Sequence, residues 1–326
     1  MQSRAARVHA PGGPEVVKVE VLDLPEPGAG EVLIRHTAIG FNFQDVYTRS
    51  GFYPAPMPTG LGTEAAGVVE KVGPGVTTFK PGGRVCYASG PGLGACASHR
   101  VFAADRLLKT PDGISDEQAA AMLLKGMTVE YLMQRCYPVK AGEFVLMHAA
   151  AGGVGLLAGQ WGKHLGATMI GVAGGPDKVR LALANGYAHC IDRNSEDVVA
   201  RVKEITGGAG VPVVYDSVGK ASFEQSLNSL APRGFFVSFG TTTGAPPPIE
   251  AGVLQKMGSL YFTRPTLVTY TAKNEELRAS AAAVFELFLK GVLKVSINQR
   301  YPLVDIAKAH ADLEAGRTTG STIIVP

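Results

Sequence analysis

The chain has 326 residues and a net charge of +3, a length that suits two ordinary domains and buries a core without cross-links. A balance so close to neutral excludes an acidic tail and a broadly cationic surface, and it argues against bulk nucleic-acid binding. Hydrophobic residues make up 46% of the chain, which excludes a disordered protein. Glycine is in excess, at 41 residues against a usual share of about 7%. The glycines follow no G-x-y period, so they imply tight turns and not a collagen helix.

The cysteines, Cys86, Cys96, Cys136 and Cys190, form no C-x-x-C pair. That removes a zinc ribbon and a redox dithiol, and it fits a reduced, cytoplasmic compartment. No apolar run follows the first seven residues, so no signal peptide is expected. The uncharged stretch 144–162 holds several glycines, His148 and Gln160, which argues against a membrane span.

Residues 1–110 read as β-structure. Short β-branched runs at 31–39, 66–72 and 83–87 are separated by Gly/Pro turns, the pattern of an antiparallel, barrel-like domain. At Ser115 the pattern changes. Ser115 and Gln118 make a capping box ahead of an Ala/Met/Leu helix, and a second helical run, 128–137, is expected after Gly126. From residue 143 strands and helices alternate. Strands are expected at 144–148, 168–172, 190–191, 211–215, 235–239 and 259–263. Helices are expected at 154–165, 176–184, 196–205 and 221–230. Such alternation means a parallel sheet covered on both faces. The tail lacks this rhythm. It reads as a helix at 274–290, a strand at 295–300, a helix at 304–315 and a strand at 322–325, and is expected to rejoin the first domain.

The segment from Phe144 to Leu157 is the most informative. It runs from a strand through Ala-Ala-Ala-Gly-Gly-Val-Gly into a helix. Ala150, Gly152 and Gly155 take the places of G-x-G-x-x-G. Small residues there let the backbone approach a pyrophosphate, whose charge then sits at a helix N-terminus. A carboxylate about 20 positions further on would mark NAD. Ala173 and Gly174 stand there instead. The absence of a repelling charge, with Lys178 in the next helix, favours the 2′-phosphate of NADPH. Asp177 reads as an exposed first-turn residue.

With these residues placed, the chain resembles the medium-chain dehydrogenase/reductase superfamily, and within it the NADPH:quinone oxidoreductases of the ζ-crystallin type. The resemblance covers essentially the whole length. It is carried by segments 38–45, 49–54, 62–69, 124–128, 148–155, 214–219, 238–240, 261–265 and 320–322. It implies an α/β protein: a GroES-like β-barrel catalytic domain formed by 1–125 and 267–326, and a Rossmann coenzyme domain, a doubly wound parallel sheet, at 126–266. Where zinc-dependent relatives carry ligands, this chain has Asn42, Thr63 and Lys125, none a usual zinc ligand. No metal is expected. Lys125 reads as a filler of the vacant metal place or as a polar contact.

The resemblance further implies site residues. Asn42, Asp45 and Thr128 would lie by the nicotinamide. Gly152, Gly153 and Val154 would hold the pyrophosphate. Gly174 and Lys178 would meet the 2′-phosphate, and so would Arg193, which stands where relatives often have Tyr. Ser217 would lie near the adenosine. Phe239, Gly240, Thr241 and Thr242 would line the nicotinamide ribose. Phe262, Thr263 and Arg264 would reach the carboxamide, and Arg317 is a further candidate. Tyr47 and Tyr53 are the catalytic candidates facing the substrate. His148 reads as a buried, hydrogen-bonded residue. The implied activity is NADPH-dependent quinone reduction by a homodimer. The alternatives are reduction of α,β-unsaturated ketones or aldehydes and, in another class, RNA binding, which neither charge nor motif supports.

Overall fold

The structure is a computed structural model that describes residues 1–89 and 92–326. The chain divides into two compact units, the first comprising Met1–Lys125, Thr271–Phe285 and Val295–Pro326, the second Gly126–Tyr270 and Glu286–Lys294.

The first unit opens with strands β1 (Gln2–Val8), β2 (Lys18–Asp23) and β3 (Glu31–Phe41). A short helix α1 (Phe43–Ser50) follows, then β4 (Thr59–Gly60), β5 (Glu64–Val72), β6 (Arg84–Ala88), β7 (His99–Ala103) and β8 (Leu108–Lys109). Val32 and Ile34 of β3 and, past a register shift between His36 and Ala38, Ile39 enter a core shared with Val69, Val85, Tyr87 and Phe102. Each such side chain contributes about 1.5–3 kcal/mol by leaving water.

Helix α2 (Asp116–Glu130) starts at the expected capping box: Gln118 N donates to Ser115 Oγ at 3.1 Å, and Ser115 N donates to Gln118 Oε1 at 2.9 Å. The expected break at Gly126 is absent. The helix runs through it and ends in a π-turn, Tyr131–Cys136. A helix-wide apolar environment outweighs the roughly 1 kcal/mol cost of one interior glycine. The wider turn coincides with Tyr215, whose hydroxyl donates to Leu132 O at 2.9 Å.

The second unit carries β9 (Phe144–His148), α3 (Gly153–His164), β10 (Thr168–Ala173), α4 (Pro176–Leu183), β11 (His189–Asp192), α5 (Val198–Ile205), β12 (Val211–Asp216), α6 (Phe223–Ser229), β13 (Leu230–Ser238), α7 (Ala251–Lys256), β14 (Tyr261–Thr263) and α8 (Leu267–Tyr270). The strands form a six-stranded sheet in the order β11-β10-β9-β12-β13-β14, parallel throughout. The Val/Ile-rich strands are what a sheet covered on both faces demands. The order reverses between β9 and β12, and ligands of such sheets bind outside the strands' carboxyl ends at that reversal.

The tail continues with α9 (Asn274–Leu289), β15 (Ile297–Pro302), α10 (Ile306–Glu314) and β16 (Ser321–Val325). β16 pairs antiparallel with β3 and parallel with β15, so the last strand completes the sheet β15-β16-β3-β5-β6-β8. The C-terminal segment thus joins the first unit's core through Leu303, Ile306 and Ile324.

Candidate active site

The glycine loop sits between β9 and α3. Gly152 is the N-cap of α3, and Gly153 and Val154 are its first helical residues. The turn is tight enough that a side chain on Gly155 would lie 2.4 Å from Ala149 O. No acidic residue stands in the first turn of α3, so its free N–H groups and positive end favour an anion.

Beyond β10, Gly174 leaves room for Arg193: a Cβ there would be 3.2 Å from Arg193 Nε and Nη2. Burial, and then the Arg193 guanidinium, lower the Lys178 ammonium from its usual value. Two like charges are therefore held together. A carboxylate that sequence reading passed over, Asp192 at the end of β11, lies opposite Ala173. Its Oδ1 accepts from Gly175 N at 2.8 Å and Asn194 N at 3.0 Å, and those amides hold it below the usual carboxylate range. It shapes the loop. The small-residue turn and the cation pair fit a dinucleotide carrying a 2′-phosphate. Asp177 is exposed and paired with Arg180.

In the first unit, residues 43–50, inside the stretch read as β-structure, form helix α1. Asn42 is its N-cap. Asp45, expected by the nicotinamide, has its carboxylate engaged elsewhere. It accepts from Asn42 N at 2.9 Å and Gly62 N at 3.0 Å. Burial pushes its pKa up to about 7 against the pull of those amides. Asn42 Nδ2 donates to Glu64 Oε2 at 2.9 Å, and Leu124 N donates to Glu64 Oε1 at 2.6 Å. Glu64 is fully buried, and burial raises its pKa against the opposing Lys125 charge. Lys125 Nζ stands 3.6 Å from Glu64 Oε2, an ion pair, and has no hydrogen-bond partner among the described residues; Thr63 Oγ1 has none either. The three places of zinc ligands in relatives thus surround or adjoin one buried carboxylate.

Helix α1 and the turn after it carry a ring cluster. Tyr47 meets Phe43, Phe52 and Tyr53 at centroid distances of 5.2, 5.3 and 4.9 Å. The helix is tied to α10 by Arg49, whose two Nη atoms donate to Glu314 at 2.7 and 2.6 Å.

At the sheet's reversal, β9 ends in His148 and β12 in Asp216. Asp216 is fully buried. Its Oδ1 accepts from Val218 N at 2.7 Å and Gly219 N at 3.0 Å; its Oδ2 accepts from Ser222 Oγ at 2.6 Å and Ser226 Oγ at 2.5 Å. His148 Nε2 lies 3.1 Å from Ser226 Oγ, and burial lowers its pKa. These are a serine, a histidine and an aspartate, but Ser226 gives its proton to the carboxylate, so the histidine is not placed to activate it. His148 is buried and hydrogen-bonded, as read from the sequence. The network itself was missed. Its one local signal is that Ser222, the N-cap of α6, and Ser226 lie four apart.

Two family models match the chain: the alcohol dehydrogenase GroES-like domain over residues 28–112 and the zinc-binding dehydrogenase over 153–286. The chain is 51% identical over 316 residues to a quinone oxidoreductase of Pseudomonas aeruginosa, covering 97% of each protein. The chain belongs to the quinone oxidoreductase family of the medium-chain dehydrogenases/reductases. A 2-haloacrylate reductase of a Burkholderia species is 41% identical over 330 residues, covering 99% of this chain and 98% of that protein. The crystal structure of Escherichia coli quinone oxidoreductase complexed with NADPH superposes with a TM-score of 0.97 at 47% identity, covering 99% of this chain and all of that one. The GroES-like and Rossmann-type architecture is shared.

The other candidate residues of this family member fall as follows. Thr128 is buried in α2. Ser217 follows β12, and the loop Phe239–Thr243 is laid on it: Phe239 N and Gly240 N donate to Asp216 O at 2.8 and 3.4 Å, and Thr242 N to Ser217 O at 3.1 Å. Thr241 in that loop is buried. Phe262 and Thr263 lie on the edge strand β14, and Arg264 just beyond it donates to Ser238 O at 2.8 Å. Arg317 is bound to Asp312 through Nε and Nη2 at 2.9 and 2.6 Å. Both groups donate to the one oxygen, Oδ1, and the pair engages the guanidinium within the first unit, where it steadies the end of α10.

Proposed function

We propose that this chain reduces quinones with NADPH, without zinc, in the cytoplasm and as a homodimer. The observation that carries the cofactor choice is the Lys178–Arg193 pair beside Gly174; the acceptor class comes from the relatives' names. Bound NADPH supplies a hydride from its nicotinamide. The chain's own part is to hold and to exclude. The loop at Gly152, Gly153 and Val154 takes the pyrophosphate, and Lys178 and Arg193 take the 2′-phosphate. The loop Phe239–Thr242 receives the nicotinamide ribose, with Ser217 by the adenosine. Phe262, Thr263, Arg264 and Thr128 of the second unit border the nicotinamide in this reading. Phe43, Tyr47, Phe52 and Tyr53 offer ring faces to a flat acceptor.

At the zinc places Asn42, Thr63 and Lys125 supply no ligand set; turnover undiminished in a chelator is the check. For the dimer, the support is the open edge of β14, where Tyr261 is 55% exposed and stacked on Phe235. Light scattering at micromolar concentration tests it. The cysteines are free thiols, which suits a reducing compartment, and no helix among the described residues is long and apolar enough to cross a membrane.

A reduced quinone spreads its charge over a ring and two oxygens, so water protonates it and positioning dominates. A true general acid contributes about 10²–10⁴-fold. Tyr53→Phe and Tyr47→Phe are therefore expected to lower quinone kcat by less than about tenfold, below that range. Loss of quinone turnover in Tyr53→Phe with normal NADPH binding would make Tyr53 the acid. The 2-haloacrylate reductase relative supports a second reading, reduction of an activated carbon–carbon double bond. An NADPH-oxidation screen of quinones against enones and haloacrylates decides between the two.

A further inference from the structure

We infer that the buried Asp216 carboxylate is a positioning residue for the nicotinamide half of NADPH, acting through the two loops that its hydrogen bonds hold at the sheet's reversal. The inference rests on the reading that NADPH binds outside the carboxyl ends of this sheet.

Asp216 ends β12 and His148 ends β9, the two strands on either side of the reversal. A carboxylate with no exposure is tolerated only with donors around it. Here there are four, and they are not spread at random. Val218 N and Gly219 N come from the turn that follows β12. That turn is the bed for the next loop: Thr242 N donates to Ser217 O at 3.1 Å and Thr243 N to Val218 O at 2.9 Å. The remaining two donors are Ser222, the N-cap of α6, and Ser226 within it, and Ser226 passes the chain of bonds to His148 at 3.1 Å. His148 is followed at once by Ala149, which opens the glycine loop. One charge thus fixes the loop given to the nicotinamide ribose and touches the root of the loop given to the pyrophosphate. The 2′-phosphate cations, Lys178 and Arg193, hang from β10 and β11 and make none of these bonds.

The test is a comparison of two ligands on the full chain. NADPH spans both halves; 2′,5′-ADP carries the adenosine and 2′-phosphate but no nicotinamide. In Asp216→Asn the new amide nitrogen cannot accept from the backbone N–H pair or from the serine hydroxyls, so one pair is left unanswered. The dissociation constant for NADPH, read by fluorescence or calorimetry, is expected to rise at least about tenfold, and that for 2′,5′-ADP less than about threefold. Ser222→Ala and Ser226→Ala remove one donor each and are expected to show the same split, smaller; they carry the test where Asp216→Asn does not fold. Equal weakening of both ligands, or an unchanged NADPH constant in variants that keep their thermal midpoint, overturns the inference. A wild-type chain that binds neither ligand overturns the NADPH reading itself, and this inference with it.

Discussion

Glu64 and Asp216 are both fully buried carboxylates, one in each unit, and they are kept there by different means. Asp216 is surrounded by four neutral donors at 2.5–3.0 Å. Glu64 has two, and leans on an ammonium 3.6 Å away that itself lacks a hydrogen-bond partner among the described residues. Neutral donors are local and directional, so they shape loops. A charge partner is long-ranged and tolerant of geometry, but removing it leaves an uncompensated ion. The first arrangement suits a place where backbone must be set accurately. The second suits a place that has only to stay neutral.

The sharpest way to break this comparison is Lys125→Met. It leaves Glu64 buried without its counter-charge and is expected to cost about 3–5 kcal/mol by urea unfolding. Adding Glu64→Gln to it should recover more than half of the loss. A cost under about 1 kcal/mol for the single change would mean that Asn42 and Leu124 alone hold Glu64.

A third kind of charge lies at the surface. Lys178 and Arg193 are gathered beside Gly174, so their effect is expected on binding and not on folding. Lys178→Ala or Arg193→Ala should each weaken NADPH by about 1.5–3 kcal/mol, roughly tenfold or more. NADH affinity and the thermal midpoint should be unchanged. Equal loss for both cofactors would show that the pair does not read the 2′-phosphate.

The effect that needs a change of pH to be seen concerns a buried group with neither donor nor counter-charge. His310 on α10 is fully buried, both ring nitrogens lack a partner among the described residues, and its ring packs edge-on to Phe41 at 4.7 Å. Burial, and then the Arg49 charge, depress its pKa to about 3, and burial depresses His36 to about 4, from an ordinary 6.5. In the unfolded chain these rings take up protons below about pH 6.5, while in the fold they do not. Stability is therefore lost as pH falls from about 6.5 to 4, by about 1.4 kcal/mol per pH unit for each ring. Asp45, pushed up to about 7, works with the opposite sign in this window, so the difference between wild type and His310→Phe isolates one ring. That variant should be less acid-labile by this slope and within about 1 kcal/mol of wild type at pH 8, since it strands no polar atom. An unchanged slope would show that His310 does not resist protonation.

The parallel sheet was legible because most of its strands are short apolar runs and α3, α4 and α5 open at Gly152, Pro176 and Asp197. The glycine loop, Lys178 and Gly174 were legible for the same reason: their chemistry is local in the chain. Helix α1 was not. Eight residues give little periodicity, and its one signal, Asn42 with Asp45 three places on, was absorbed into a reading of both as ligand contacts. The Asp216 network was hidden because two of its donors are backbone amides, which carry no residue signature, and its histidine lies 68 positions upstream in sequence and next to it only in the folded sheet. Gly126 misled because a buried helix absorbs a glycine that an isolated helix would not.

The pairing of β16 with β3 also bears on how the molecule is made. Residues 31–41 leave the ribosome before their partner 321–325, which follows on the order of tens of seconds later at about 5–20 residues per second. Until then β3 lacks that partner, while the six strands of the parallel sheet, contiguous between 144 and 263, are already complete. Vectorial synthesis therefore favours an order in which the parallel sheet of the second unit closes before β16 completes the sheet of the first. A chain released before residue 321 would carry a finished parallel sheet and a β3 that lacks this partner, and would be a target for quality control.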